Sequence, residues 1–332
     1  MKLTLTLFLQ LFLARPVLSK GQDQDIPTAI KNHPVLEKIR EHHTYSEQQL
    51  KDLALTLAKS QYIGQGHSDI SKHPVTTKAC RDQMSGKWAP DAKKLCQDHF
   101  MVPINGSEST KDGEKTVCID QFEFPNIPCE YPVVWTRANE AHEICQSVGK
   151  RLCDADEWEQ ACAGFPRPQP YQFSDSGLDI NQAHKAQRKH LNQSRKKVWS
   201  YGSKQNHSLC ATNSQKSPGC DQAIQTTGKV WSSCGSNTYP SGYFPDCKSS
   251  GGVYDLHGNA AEHMNLPLQE SQRTKAGGTG VVEMKGSWFI FSKYSAHPDD
   301  CFWRAPFWHG TRLDNPKSHH NYHLGFRCCK NI

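Results

Sequence analysis

The stretch Gly252-Val-Tyr-Asp-Leu-His-Gly-Asn-Ala-Ala-Glu262 is the most informative part of this chain. Its first three residues, Gly252 to Tyr254, have the apolar and aromatic character of a short strand. Gly258 and Asn259 then form a pair that is typical of tight turns, because both residue types tolerate a left-handed backbone. The stretch therefore predicts a short strand followed by a sharp, polar turn.

Short elements of both kinds flank this turn. Apolar positions at helical spacing predict a helix over 138–148, and Asp154 with Glu157 three residues later predicts the capped start of a second helix. Residues 164–250 are rich in Pro, Gly, Ser and Asn, so little regular structure is expected there. Further strands or short apolar runs are predicted at Val117–Phe124, Pro132–Thr136, Val281–Met284 and Trp288–Phe291. The pattern indicates one loop-rich α+β domain.

The N-terminal residues have the pattern of a targeting segment. Residues 1–19 begin with the positive Lys2, continue with an apolar run from Leu3 to Ala14 and end in short side chains. This order is typical of a secretory signal peptide, and a buried N-terminal helix is the alternative. We therefore expect an exported protein, either secreted or periplasmic.

Residues 20–97 are polar and carry no catalytic pattern. We expect them to form an N-terminal extension that packs on the main domain, residues 98–332. The extension contains one amphipathic helix, in which Ser46 forms a capping box with Gln49 and apolar residues follow at helical spacing.

Composition excludes several classes of protein. The 332 residues are 36% hydrophobic with a mean hydropathy of -0.72, and no apolar run outside the leader approaches the ~20 residues that span a bilayer. The net charge of +6 is mild. The basic run Arg188–Lys197 is short and is interpreted as a solvated loop. We expect neither a membrane span in the mature chain nor a nucleic-acid partner.

Fourteen cysteines indicate disulfide bonds in an exported chain. No Cys-x-x-Cys pair occurs, and the adjacent Cys328 and Cys329 have the wrong spacing for one tetrahedral zinc site. Cys80 and Cys96 are candidates for closing a local loop. A second group is expected to hold the long loops together: Cys210, Cys220, Cys234 and Cys247.

Six segments, in this order, resemble the formylglycine-generating enzyme (sulfatase-modifying factor) family. The resemblance implies a loop-rich, C-type-lectin-like α+β fold, often stabilised by calcium. The best-known member oxidises a cysteine of sulfatases to formylglycine with O2 and a copper ion held by two thiolates. The segments are Pro132–Thr136, Gly149–Leu152, Asp156–Glu159, Gly252–Glu262, Lys285–Trp288 and Leu324–Cys328.

The copper site of the family is not matched. The first copper cysteine follows the Gly-Ser-aromatic motif and falls on Ile290, and the second falls on Ser295. Isoleucine does not ligate copper, and soft Cu(I) needs thiolate or thioether ligands. The nearest cysteine is Cys301. Copper is therefore not expected at the usual position.

The resemblance also implies disulfide pairings and a calcium site. It pairs Cys145 with Cys328, Cys162 with the nearby Cys301 and, as an extra bridge, Cys153 with Cys329. Calcium would be held by the side chain of Asp255 and by the main-chain oxygens of Leu256, Gly258 and Ala260, a set of oxygens that suits this ion. The alternative is a tight turn with no ion.

Two functions remain open for the groove that the family uses. The first is binding of a peptide or small-molecule ligand without formylglycine generation. The second is oxidation at an atypical metal site, supplied by Cys301 or by a histidine group comprising His257, His263, His309, His319, His320 and His323. The catalytic candidates are Cys301, Ser287, His309 and His323. Arg304, Arg312, Trp303 and Trp308 are further candidates for ligand contacts.

Overall fold

The computed structural model describes residues 34–104, 117–164, 197–215, 237–267, 281–305 and 311–332, apart from positions 61, 67, 69, 70, 72, 74 and 314. It also describes residues 182, 185, 186, 188, 189, 192 and 193. The signal peptide predicted for residues 1–19, the candidate ligands His309 and Trp308, and Cys220 and Cys234 lie outside these residues. None of the helices in the described ranges has the length and apolar character needed to cross a membrane.

Short helices and strands make up the regular structure. The helices of the described residues are α1 (Pro34–His42), α2 (Glu47–Lys59), α3 (Thr77–Met84), α4 (Lys93–Cys96), α5 (Ala138–Ser147) and α6 (Ala155–Ala163). The strands are β1 (Gly64–Gln65), β2 (Met101–Ile104), β3 (Val117–Asp120), β4 (Val133–Val134), β5 (Arg151–Leu152), β6 (Ala261–Leu266), β7 (Val281–Lys285), β8 (Thr311–Arg312), β9 (Leu324–Phe326) and β10 (Cys328–Asn331). This mixture confirms the α+β prediction.

Two four-stranded sheets form the centre of the domain. One has the order β2-β3-β10-β5, and the other has the order β8-β7-β6-β9. Neighbouring strands are antiparallel except β6 and β9, which run parallel with Ala261 opposite Leu324. A separate two-stranded pair joins β1 to β4, with Gly64 opposite Val134. The chain passes from β9 to β10 through the buried Arg327, so the C-terminal segment belongs to both sheets.

The N-terminal helices are part of this core. The predicted capping box of α2 is confirmed, since Gln49 N donates to Ser46 Oγ at 3.2 Å and Ser46 N donates to Gln49 Oε1 at 2.8 Å. Leu36 of α1 and Leu53 of α2 are fully buried in one apolar cluster with Ile144 of α5. The structure has four helices within the described part of 34–96, not one. The others were missed because they are short and their apolar stripes are narrow.

Helix α6 organises a second apolar cluster. Its predicted cap is also present, with Asp154 N donating to Glu157 Oε2 at 2.8 Å, and the helix ends at Gly164 with φ +71. Trp158 is fully buried, and its Nε1 donates to Glu262 Oε2 at 3.0 Å. Because Glu262 lies on β6, this bond connects the helix to the second sheet.

Six disulfide bonds cross-link the described residues. Two of them, Cys145–Cys328 and Cys162–Cys301, are the pairs that the family resemblance implies, and the expected extra bridge Cys153–Cys329 is also present. The local pairing of Cys80 with Cys96 was wrong. These cysteines lie on different helices, and each bonds to a distant partner, in Cys80–Cys129 and Cys96–Cys118. In the long-loop region, Cys210 bonds to Cys247.

The strand predictions fail where the main chain makes hydrogen bonds other than those of a sheet. Trp288–Phe291 forms a turn, because Phe291 N donates to Trp288 O at 2.9 Å and Phe289 N donates to Asn259 O at 3.0 Å. The strand at Val117 ends at Asp120, and Gly252–Tyr254 forms only a single bridge, between Tyr254 and Lys248.

Candidate functional site

Eight aromatic and histidine rings form a continuous row across the domain. Successive ring centroids lie 3.8–6.0 Å apart. In order, this aromatic row consists of Tyr62, His320, Trp135, Tyr322, His323, Trp288, His297 and Trp303. Tyr62, His320, Tyr322 and His297 are half-buried, so the row is accessible through these four side chains.

The ends of neighbouring strands hold the rings in place. Trp135 directly follows β4, and its N donates to Asn321 O at 3.0 Å, which joins it to the segment leading into β9. His323 immediately precedes β9 and stacks on Trp288 with centroids 4.7 Å apart. Of the three catalytic candidates that the structure describes, Ser287, Cys301 and His323, only His323 belongs to the row.

Ser287 lies beside the row but takes part in a buried polar network. Its Oγ accepts from Gly258 N at 2.9 Å and lies 3.4 Å from Asp299 Oδ2. His207 Nε2 also lies 3.4 Å from Asp299 Oδ2. Serine and histidine thus both contact the same carboxylate and not each other, so this network is not a nucleophile with an adjacent base.

The histidines expected to form one group separate into different environments. His257 Nε2 accepts from Ser200 N at 3.0 Å, and burial lowers the pKa of His257 to about 4. His263 Nε2 lies 3.0 Å from Thr136 O, and burial likewise lowers its pKa to about 4. Both rings are neutral at pH 7 and are occupied by internal hydrogen bonds. Of the group, His319, His320 and His323 are left nearer the surface.

The two arginines proposed as ligand contacts also differ from expectation. Arg304 is fully buried, where it pairs with Glu159 at 3.1 Å and with Glu283 at 2.5 Å. Its charge is compensated inside the protein, so its proposed role in ligand binding was wrong. Arg312 is an exposed residue of β8.

The Gly252–Glu262 turn carries an excess of buried negative charge. Arg327 pairs with both oxygens of Glu262, at 2.6 and 2.7 Å. Asp255 and Glu123 remain, and both are buried. Burial raises the pKa of Asp255 to about 7, and burial together with the nearby Asp255 raises the pKa of Glu123. A cation beside Asp255 would relieve this cost.

The main chain of this turn adopts left-handed conformations at three positions. Asp255 and Asn259 have φ values of +56 and +55, and Gly258 has φ +76, which confirms the predicted tight turn. A Cβ on Gly258 would lie 2.5 Å from Ala211 O, so glycine is required there. Among the described residues, none donates a hydrogen bond to the main-chain oxygens of the other predicted calcium ligands, Leu256, Gly258 and Ala260.

Comparisons with known proteins give the family. The model of the sulfatase-modifying factor enzyme 1-like domain (FGE-sulfatase) matches residues 66–332. The chain belongs to this family. Among solved structures, PvdO from Pseudomonas aeruginosa is similar to the chain with a TM-score of 0.30 and 16% sequence identity, over 70% of this chain and 91% of that chain. A comparison with curated proteins gives no match.

The copper site implied by the sulfatase-modifying factor family does not fit the residues present. Ile290 is buried in an apolar cluster with Phe289 and Phe291. Ser295 is exposed, and its Oγ donates to Phe291 O at 3.1 Å. An apolar side chain and a hydroxyl replace the two soft ligands that Cu(I) requires.

The described cysteines offer no substitute for those thiolates. All twelve of them are in disulfide bonds. Two groups in the described ranges place three metal-ligating side chains together, Cys162–His257–Cys301 and Cys153–Glu157–Cys329. In each group the two cysteines are bonded to each other, and a disulfide sulfur is not a thiolate ligand. Cys301 therefore supplies no free thiol.

Sequence reasoning missed several residues of the site, including Tyr62, Trp135 and Arg137. Tyr62 lies before the matched family domain, and no local pattern marks it. Trp135 falls within the quoted Pro132–Thr136 segment, but an apolar run gives no sign that its ring contacts His320. Arg137 is the residue before α5, and its Nη2 lies 3.3 Å from His320 Nε2. All three become recognisable only when β4, α5 and the segment before β9 come together.

Proposed function

We propose that this protein is a peptide-binding member of the sulfatase-modifying factor family and does not generate formylglycine with a copper-thiolate centre. The observation that carries the proposal is the replacement of both copper cysteines, by the buried Ile290 and the exposed Ser295. Catalysis of the family's kind needs a soft metal site that these residues do not provide.

The aromatic row supports peptide binding. Rings bury large areas at small cost in side-chain entropy, and the polar edges of Trp, Tyr and His still form hydrogen bonds. Four rings of the row are half-buried, namely Tyr62, His320, Tyr322 and His297, and they offer separate contacts to an extended chain. A compact small molecule would contact only a few of them.

Calcium has a structural role in this proposal. Asp255 would provide a carboxylate ligand, and the main-chain oxygens of Leu256, Gly258 and Ala260 would complete part of the shell. The excess buried charge at Asp255 and Glu123 supports this assignment. Bound calcium would compensate that charge and hold the turn that carries Gly258, whose N–H donates to Ser287 Oγ.

The remaining features of the proposal come from the sequence. We infer export to the periplasm or the extracellular space from residues 1–19 and from the disulfide content, because such bonds persist in oxidising compartments. We assign the fold to the C-type-lectin-like class through the family resemblance. A ligand other than nucleic acid agrees with the mild net charge.

Selection from a random heptapeptide library tests the proposal. Bound peptides are expected to lose at least about tenfold in affinity with Tyr322→Ala, because that ring is half-buried and connects Trp135 to His323 within the row. The matched control is Tyr294→Ala, since Tyr294 is exposed and is outside the row. Equal loss in both variants, or no selected peptide, would contradict the proposal.

A turnover assay addresses the oxidase alternative. Purified protein is incubated with copper, O2 and a cysteine-containing peptide, and aldehyde formation is measured. We expect no aldehyde. Copper-dependent aldehyde that disappears with His320→Ala would favour the atypical oxidase over the binding protein.

A further inference from the structure

Arg137, at the start of α5, has an incompletely compensated charge. Its Nη1 donates to Pro316 O, and its Nη2 donates to the neutral ring of His320. Within the described residues, no carboxylate lies within ion-pair distance of its guanidinium. The carboxylate of Glu140 accepts from the main-chain N of Arg137 at 2.8 Å instead.

The guanidinium therefore has N–H donors that make no hydrogen bond within the described residues. It carries five N–H groups, of which these two contacts use two. Arg137 Nε is buried and has no hydrogen-bond partner in the described structure. A half-buried cation with unused donors is costly unless an anion completes its shell, and a carboxylate matches the fork of arginine with two parallel bonds.

Two aromatic rings and a histidine ring lie around Arg137. The guanidinium lies over the ring of Tyr62 at 4.9 Å from its centroid, and the same ring meets His320 edge-on at 4.2 Å. Trp135 contacts His320 at 6.0 Å, is 5% exposed, and its Nε1 has no hydrogen-bond partner in the described residues. Its φ of +64 is a strained value for a bulky residue. Strained backbone and unpaired buried donors concentrate at binding sites.

One residue of this cluster comes from outside the matched family domain. Tyr62 precedes residue 66, where the family match begins. It is held two residues before β1, whose pairing with β4 places Gly64 opposite Val134. That pairing brings Tyr62 beside the segment that carries Trp135 and Arg137. The site thus depends on a segment that is additional to the matched domain.

We propose that Arg137, His320 and Tyr62 form a carboxylate-binding subsite at one end of the aromatic row. The inference rests on the proposed peptide-binding function and deepens it by naming the group recognised. Arg137 would bind both carboxylate oxygens. His320 would donate from Nδ1, because its Nε2 faces Arg137 Nη2, and Tyr62 would stack on the guanidinium and fix its plane.

The charges around His320 predict how the affinity of the subsite for a carboxylate changes with pH. Burial lowers the pKa of His320, and Arg137 and His319 lower it further. The neighbouring Tyr62 and Trp135 rings are neutral, and His263 is neutral at pH 7. A bound carboxylate raises the pKa of His320, so by linkage the carboxylate binds more tightly as the pH falls through that pKa.

Three defined probes test the subsite on the full chain. Acetyl-alanine carries a main-chain carboxylate, acetyl-glutamate amide carries a side-chain carboxylate, and acetyl-alanine amide is the neutral control. The readout is the NMR shift of the His320 ring during titration at constant ionic strength. We expect saturable shifts with one or both carboxylates, none with the amide, and a rise in the pKa of His320.

Variants then separate charge from geometry. Arg137→Gln is expected to weaken carboxylate binding at least about tenfold, and Arg137→Lys to retain part of it, because lysine keeps the charge and loses the fork. Lys78→Gln, at an exposed surface position, is the matched control. Unchanged thermal melting of the Arg137 variants shows that folding is preserved.

The outcomes distinguish this inference from the proposed function. If the probes leave His320 unperturbed while library peptides still bind through Tyr322, the subsite is refuted and the peptide-binding function stands. If the probes bind as described but no peptide is selected, the carboxylate subsite is supported and the peptide-binding function is refuted. Equal binding of the carboxylates by Arg137→Gln and the unmodified protein overturns the inference.

Discussion

Asp255 provides the sharpest prediction, because burial raises its pKa from 3.8 to about 7. A carboxyl whose pKa is raised in the folded state binds its proton more tightly there than in the unfolded chain. Its contribution to stability is therefore fully present below about pH 4 and is lost as the pH rises through about 7. The perturbation is Asp255→Asn, measured with a calcium chelator at pH 5 and pH 7.5.

The magnitude follows from the shift. With these two pKa values, the ionisation of Asp255 lowers the free energy of unfolding by roughly 2.5 kcal/mol more at pH 7.5 than at pH 5. Asparagine can still accept the Gly242 N–H that Asp255 Oδ2 accepts at 2.6 Å, and it tolerates the positive φ of this position. From pH 5 to pH 7.5, the free energy of unfolding of the variant should therefore rise by about that amount relative to that of the unmodified protein.

Urea unfolding of both proteins measures the effect. His257 and His263 also titrate, but they occur in both proteins and cancel in the difference. Asp255→Asn also removes a charge that raises the pKa of Glu123, and this adds to the gain of the variant in the same direction. Saturating calcium should remove the advantage of the variant at pH 7.5, since an ion bound at about 100 times its dissociation constant stabilises by about 2.7 kcal/mol. A difference that does not change with pH would refute the charge argument. A pH-dependent difference without any calcium effect would refute the calcium assignment alone.

Two further predictions concern the core. Lys150→Met should destabilise by about 3–5 kcal/mol in urea unfolding, because it leaves Asp98 and Asp120, which lie 3.0 and 2.7 Å from Lys150 Nζ, buried without their partner. Lys78→Met is the control at an exposed ion pair and should change the stability by less than about 1 kcal/mol. Leu53→Ala should cost about 2–5 kcal/mol, since Leu53 is fully buried between α2 and the domain. A cost below about 1 kcal/mol would show that α2 is a detachable extension.

Features that depend on a few neighbouring residues could be predicted from the sequence. The capping boxes at Ser46 and Asp154 are examples, because each one joins two residues that are only three positions apart. The turn at Gly258 is another, since its backbone requirement selects glycine. The strand predicted at Trp288–Phe291 failed for the opposite reason. Its residues have strand-like composition, but Asn259, from a distant turn, supplies a main-chain acceptor that a ladder partner would otherwise provide.

The candidate site was predictable only in part. The loss of both copper ligands, at Ile290 and Ser295, could be seen from the sequence, because both positions lie at fixed spacing after the Gly-Ser-aromatic motif. The aromatic row could not, because it joins Tyr62 to residues that follow it by more than seventy positions. Tertiary contacts of this kind leave no periodic signal in either partner. Histidine content alone was misleading, since burial occupies His257 and His263 with internal bonds.

A count of free thiols tests the central claim most directly. The protein is denatured without reduction, alkylated and weighed, and Cu(I) binding is then titrated on the native chain. The account predicts no alkylated cysteine and no stoichiometric Cu(I) binding, because both copper positions lack thiolates and the described cysteines are paired. Two alkylated cysteines in a protein that binds one Cu(I) would contradict it, and would place an oxidase site where we propose a peptide-binding groove.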